Sequence, residues 1–156
     1  MQYSQGTLGR IFALRLETGD RLPDAIESFA VEHEIQGALV IYIGGASGDS
    51  RIVVGPEDRS DDVIIPTIHT LVGHHEVLAV GTLFPGASGA PTLHMHAAVG
   101  RGGTAAVGCT RTGVDVWLVG EVILLEILGT GGRRVVENAG FELLRFREEP
   151  PLPPRD

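Results

Sequence analysis

Residues 91–109 read PTLHMHAAVGRGGTAAVGC, and the pair Gly102-Gly103 decides how the segment folds. A two-residue hairpin loop of type I′ needs positive φ at both central positions, which glycine supplies without steric cost. The flanking runs then form an antiparallel hairpin in which Arg101 pairs with Thr104. Counting rungs back from that pair places His96 opposite Cys109. It is a non-hydrogen-bonded rung, the closer kind, with Cα atoms about 4.5 Å apart. His94 lies two residues before His96, so both imidazoles share one face, their Cα atoms about 6.5–7 Å apart. A slip of one residue would set Cys109 against Met95, on the other face.

Two imidazoles and a thiolate on one face make a three-ligand set for a borderline-soft ion, zinc foremost. A fourth position is left for water, an acidic side chain or a ligand. The competing reading is of packed, hydrogen-bonded histidines beside a small apolar cysteine. It suits any one of His94, His96 and Cys109, but their convergence favours the metal. Glu76 and His74 share a face in His74-His75-Glu76 and are candidates for a fourth ligand or a supporting hydrogen-bond partner. His33 and His69 suggest no partner. Glu121 interrupts an apolar run, which places it at a solvent or subunit boundary or against an arginine such as Arg111. GGASG (44–48) and PGASG (85–89) lack the glycine two residues after serine that a nucleophile elbow needs, and they read as turns.

Outward from the hairpin, 22 glycines and 9 prolines punctuate short β-branched runs, the pattern of many strands and few helices. Strands are expected over 9–16, 38–43, 51–54, 63–71, 76–84, 91–100, 104–110 and 114–128, with 134–136 and 140–146 closing the sheet. One helix is expected, with Asp20 as N-cap, Pro23 in the first turn, and Leu22, Ile26, Phe29 and Ala30 at helical spacing. It should run to about Glu34, with Gly37 just beyond. The acidic stretch 56–62 reads as a loop. The segment 148–156, with four prolines, reads as an extended Pro-rich tail. The expected fold class is α+β: a mixed, mostly antiparallel sheet with one principal helix packed on it, in a single domain over 1–147.

Composition narrows the function. The 156 residues are enough for one domain with a sizeable core. An apolar share of 43% and a mean hydropathy of +0.16 exclude a disordered chain. Twelve basic against twenty acidic side chains give −8, the wrong sign for loose attraction to nucleic acid. All the basic residues are arginine, so Schiff-base chemistry and a P-loop lysine are excluded. The single cysteine, Cys109, excludes an intrachain disulfide and fits a reducing compartment. The opening MQYSQGTLGRIFALRL lacks the pattern of a signal peptide. Val116–Leu128, broken by Gly120, Glu121 and Glu126, is too short and too charged to cross a membrane. The expectation is a cytoplasmic protein with no membrane partner.

Several stretches together resemble the plants-and-prokaryotes-conserved (PPC) domain: RLETGDRLPDAIESFA, IQGALVIYIGGAS, GHHEVLAVGTLF, PTLHMHAAVGR, VGCTRTG and EVILLEI. The resemblance runs from Leu14 to about Phe146. It implies that His94 and His96 match the first two histidines of the family site, and that the third falls on Cys109. Cysteine is a competent zinc ligand, of different softness. The plant motif Gly-Arg-Phe-Glu-Ile-Leu falls on Gly73-His74-His75-Glu76-Val77-Leu78, without its Arg and Phe, so partner recognition known for that motif does not carry over. Gly100-Arg101-Gly102-Gly103 is not the Arg-Gly-Arg-Pro core of an AT-hook. The resemblance further implies a homotrimer, and stand-alone prokaryotic members are described as candidate DNA-binding proteins.

The resulting expectation is a trimeric, zinc-binding, non-enzymatic protein of regulatory or scaffold type. The alternative is a metal-dependent enzyme acting on a small molecule through metal-bound water, with Glu76 or His74 as base. Direct DNA binding is disfavoured by charge. A small-molecule ligand remains open.

Overall fold

Gly102 and Gly103 take φ of +59° and +83°, and the hairpin closes on them in the computed structural model, which describes residues 1–57, 64–137 and 141–146. The elements in chain order are β1 (Thr7–Glu17), β2 (Arg21–Leu22), α1 (Asp24–Glu32), β3 (Ala38–Ala46), β4 (Arg51–Pro56), β5 (Pro66–Thr70) and β6 (His75–Pro85). They continue with β7 (Pro91–Arg101), β8 (Thr104–Cys109), a 3₁₀ turn (Thr110–Thr112), β9 (Val114–Leu128), β10 (Arg133–Val136) and β11 (Glu142–Arg145). The main sheet runs β1-β9-β3-β6-β7-β8-β4-β5, with β2 added beside β9. Every recorded pairing is antiparallel.

This corrects the expected fold class. Strand accounts for 61% and helix for 9% of the described residues, so the molecule is a small β-rich fold, not a mixed α+β one. The helical spacing over Leu22–Ala30 was misleading for a physical reason. Leu22 belongs to a strand and pairs with Val114. The Asp20 carboxylate accepts from the Glu17 backbone N–H at 2.8 Å, closing the turn between β1 and β2 instead of capping a helix. The helix starts only at Asp24 and contributes just Ile26 and Ala30 to the buried core, which strands otherwise fill. Residues 133–136 and 142–145 do not close the main sheet either. They pair with each other as a separate ribbon. Most of the expected acidic loop, and the whole Pro-rich tail, lie outside the described residues. Among the described residues no helix is long and apolar enough to cross a membrane.

The two faces of the sheet differ sharply. On β7, Leu93, Met95, Ala97 and Val99 are buried toward α1, while His94 and His96 stand exposed on the opposite face. The period of two that defines a strand sorts them. On that outer face Ile43, Leu78, Ala98 and Val107 follow one another across β3, β6, β7 and β8. Ile43, Leu78 and Val107 are each more than half exposed.

Glycines let β9 cross β3 closely. The register shifts between Gly44 and Gly45, which pair with Gly120 and Trp117. Tyr42, fully buried beneath this bulge, donates its hydroxyl to the Gly45 carbonyl at 3.0 Å. Burial pushes its phenol up to about 12.

A second irregularity, between Leu8 and Ile11 of β1, turns the Arg10 backbone toward Glu126. The Glu126 carboxylate is buried and accepts from Arg10 three times, at 2.9 Å from the backbone N–H, 2.8 Å from Nε and 2.8 Å from Nη2. The hydrogen bonds from the guanidinium and the backbone hold its pKa down at about 2, below the ordinary 4.5. A depressed carboxylate stabilises the fold fully above the unfolded value, and that contribution disappears as pH falls from about 4.5 toward about 2. Melting temperature should therefore drop across this window in the wild type and drop less in Glu126→Gln. Parallel slopes for the two proteins in scanning calorimetry would show that this pair does not govern the acid limb.

Candidate metal centre

The hairpin register carries the centre. Arg101 pairs with Thr104, and five rungs further His96 faces Cys109. Cys109 ends β8 and is buried, and on its other side it pairs with Val53 of β4. Just beyond, Thr110 is buried and donates its hydroxyl to the Met95 carbonyl at 3.3 Å, fixing the end of β8 against β7.

Among the described residues His94, His96 and Cys109 form the one group of three or more potential ligands, their ligand atoms all within 4.8 Å of one another. The two Nε2 atoms are 3.2 Å apart, and the rings meet edge to face at 85°. Tetrahedral zinc with Zn–N bonds near 2.0–2.1 Å spaces two imidazole nitrogens by about 3.3 Å. The donor set and spacing therefore fit a zinc-sized ion. His94 titrates below the ordinary imidazole value, chiefly through partial desolvation by the cleft around it and then through the positive charges of Arg134, His96 and Arg111. A downward shift favours the neutral ring, the form that binds metal.

Glu76 and His74 do not join the three. Glu76 pairs with Gly45 and Gly100 at the start of β6. The residue of β6 facing His96 is Val80, four positions further on, or about 13 Å at strand rise. His74 stacks on Trp117, ring centroids 4.3 Å apart and nearly parallel. Glu121 lies opposite Arg15 of β1, so the arginine across from it in the sheet is Arg15. His33 rests on Phe29, ring centroids 4.1 Å apart, and His69 is exposed on β5.

Several residues that the sequence did not single out for this site do reach it. A cleft of about 510 Å³ opens beside His94, His96 and Cys109, and its other walls include Arg111, Arg134, Phe141 and Leu143. A smaller one of about 270 Å³ lies on the far side of His96 and Cys109, against Val53, Ile64 and Pro66. Arg134, at the start of the strand expected over 134–136, is a buried residue of β10. It donates from Nη2 to the Thr82 carbonyl at 2.8 Å and hydroxyl at 3.0 Å, and from Nε to the Thr92 carbonyl at 3.3 Å. Arg111, on the 3₁₀ turn, holds its guanidinium 5.4 Å from the Phe141 ring centroid. The available signal was the charge pair Arg133-Arg134 between glycines and a β-branched run. Nothing local tied it to a strand some forty residues away.

The family model of the Plants and Prokaryotes Conserved (PCC) domain matches residues 3–128. No curated protein matches the chain. Among solved structures, a plant- and prokaryote-conserved protein of Pyrococcus horikoshii is 24% identical, with a TM-score of 0.79 over 97% of this chain and 100% of that one. A metal-containing protein of Archaeoglobus fulgidus is 25% identical, with a TM-score of 0.77 over 92% and 98%. A protein of Ralstonia eutropha described as a candidate DNA-binding protein shares the fold at 20% identity, with a TM-score of 0.67 over 86% and 90%.

Proposed function

The chain belongs to the Plants and Prokaryotes Conserved domain family, and from that premise we propose that it is a trimeric, zinc-binding protein of regulatory or scaffold type. The observation that carries the metal reading is the convergence of His94, His96 and Cys109 at the end of one hairpin. An N₂S set of two imidazoles and a thiolate suits zinc better than the hard cations, which prefer oxygen. The similar protein from Archaeoglobus fulgidus, described as metal-containing, supports the same reading.

Self-association has its own support. The exposed apolar row Ile43, Leu78 and Val107 lies one pair of rungs from His96, on the same face. A contiguous apolar surface of this kind is what a subunit contact covers. Threefold stoichiometry is taken from the family resemblance.

The cleft beside the ligands favours a small-molecule enzyme as second reading. Against it, the carboxylate and imidazole considered as bases, Glu76 and His74, sit away from the ligands. DNA is not a partner on this reading. Arg10 and Arg21 are paired with Glu126 and Asp115, Arg134 is buried, and a trimer would carry about −24.

Protein purified without chelators should contain about one zinc per chain by elemental analysis. Light scattering should give a mass of about 50 kDa against 16.5 kDa for one chain. A metal content near zero after zinc addition and desalting would refute the metal reading. A monomer mass at micromolar concentration would refute the assembly.

A further inference from the structure

Part of the cleft at the metal centre comes from chain outside the family-matched residues. Arg134, Phe141, Glu142 and Leu143 all lie beyond residue 128, on or beside the β10–β11 ribbon. Arg134 fastens that ribbon to β6 and β7 through Thr82 and Thr92. Arg145 pairs with Glu137 across it.

The charge at this cleft runs against that of the molecule. The chain carries −8 overall, yet two guanidinium groups and two imidazoles line the cleft, with Glu142 its lone carboxylate among the described residues. An oxygen of Glu142 already accepts from the Ala87 backbone N–H at 3.3 Å. Among the described residues no carboxylate forms an ion pair with Arg111 or Arg134. Arg134 is only 4% exposed, and burial lowers its pKa despite the pull of Glu142, Cys109 and Glu27. A buried guanidinium bonded only to neutral oxygens leaves a positive potential that an anion would relieve. A divalent ion on the three ligands would increase it.

The remaining walls choose the kind of anion. Phe141 and Leu143 give the cleft apolar sides, which a bare inorganic anion would leave wet. We propose that the cleft binds a small organic carboxylate, its charged end between Arg111 and Arg134 beside the metal position and its apolar body against Phe141 and Leu143. The proposal rests on the zinc reading for the strength of the site. The two arginines and the apolar walls belong to the chain itself. A volume of about 510 Å³ is in the range of small-molecule sites.

The test is calorimetric titration of the zinc-loaded protein with sodium benzoate, with benzamide as uncharged isostere and inorganic phosphate as bare anion. Benzoate should bind, and benzamide and phosphate should each bind at least about tenfold more weakly. Arg111→Gln, at an exposed position, should weaken benzoate by about tenfold when compared with the wild type at equal zinc loading. Arg134→Gln should do the same if its melting curve shows a folded protein, and Arg111→Gln decides the matter if it does not. Equal binding of benzoate and benzamide, tighter binding of phosphate, or an unchanged benzoate affinity in Arg111→Gln would overturn the proposal. If zinc does not bind, the metal reading alone has failed, and the same titrations on the metal-free chain decide. Benzoate binding that Arg111→Gln weakens then upholds the anion cleft, and binding that is absent or insensitive overturns it.

Discussion

Cys109→Ser should lower zinc affinity by at least about 100-fold, since even the hydrogen-bond partners behind metal ligands are worth 10–100-fold. Cys109 supplies the single thiolate of the group, and it is buried at a strand end that pairs on both sides, with His96 and with Val53. Serine keeps the shape but not the chemistry, because its hydroxyl stays protonated where a metal-facing thiol ionises. Competition with a chromophoric chelator at neutral pH measures the loss directly. Melting gives an independent reading. Zinc at a thousandfold excess over its Kd adds about 4 kcal/mol to the wild type, or about 8–16 °C at this size. The serine variant should lose most of that gain while its metal-free melting point stays within about 2–4 °C of the wild type. A variant that held zinc within threefold of the wild type would remove Cys109 from the ligand set.

Gly44→Ala should destabilise the fold by about 3 kcal/mol, the upper part of the range for overpacking a close-packed site. A Cβ at Gly44 would lie 2.5 Å from the Val119 carbonyl oxygen, 2.7 Å from the Gly120 Cα and 2.7 Å from the Tyr42 hydroxyl. Two of these are backbone atoms of the strand bulging across β3. The third is fully buried and committed to the Gly45 carbonyl. None can swing aside as an exposed side chain would. The expected fall in melting temperature is about 6–12 °C. Gly100→Ala is the matched control. A Cβ there meets only the Thr104 carbonyl oxygen, at 3.6 Å, so its cost should stay below about 1 kcal/mol. Equal melting points for the two variants would show that β9 can shift away from β3 without loss.

The hairpin was legible in the sequence because its phase is set locally. Two glycines fix the turn, the turn fixes the rung, and alternation fixes the face, so His94, His96 and Cys109 meet by counting. The helix was over-read because Leu22 fits a helical stripe and a strand equally well, and only its pairing with Val114 chooses between them. Arg134 and Phe141 were out of reach for another reason. They meet the site through a ribbon that pairs with itself and docks by guanidinium bonds to carbonyl oxygens, and a carbonyl leaves no mark in an amino-acid sequence. Glu76 shows the limit of face arguments. It stands on the same face as His96, but a shared face says nothing about distance along the strand.

The exposed turn of the hairpin has a practical consequence. Arg101, Gly102, Gly103 and Thr104 are exposed, and with five rungs between them and His96 the tip stands about 16 Å from the ligands at strand rise. Residues added between Gly102 and Gly103 lengthen a loop and leave the strands in step, whereas a single residue added within 97–100 turns the thiol to the opposite side. The tip is thus a grafting port. A fluorophore-bearing peptide or an affinity tag spliced there would report on metal and ligand from a fixed distance, joined to the centre by two strands too short to bend away from it.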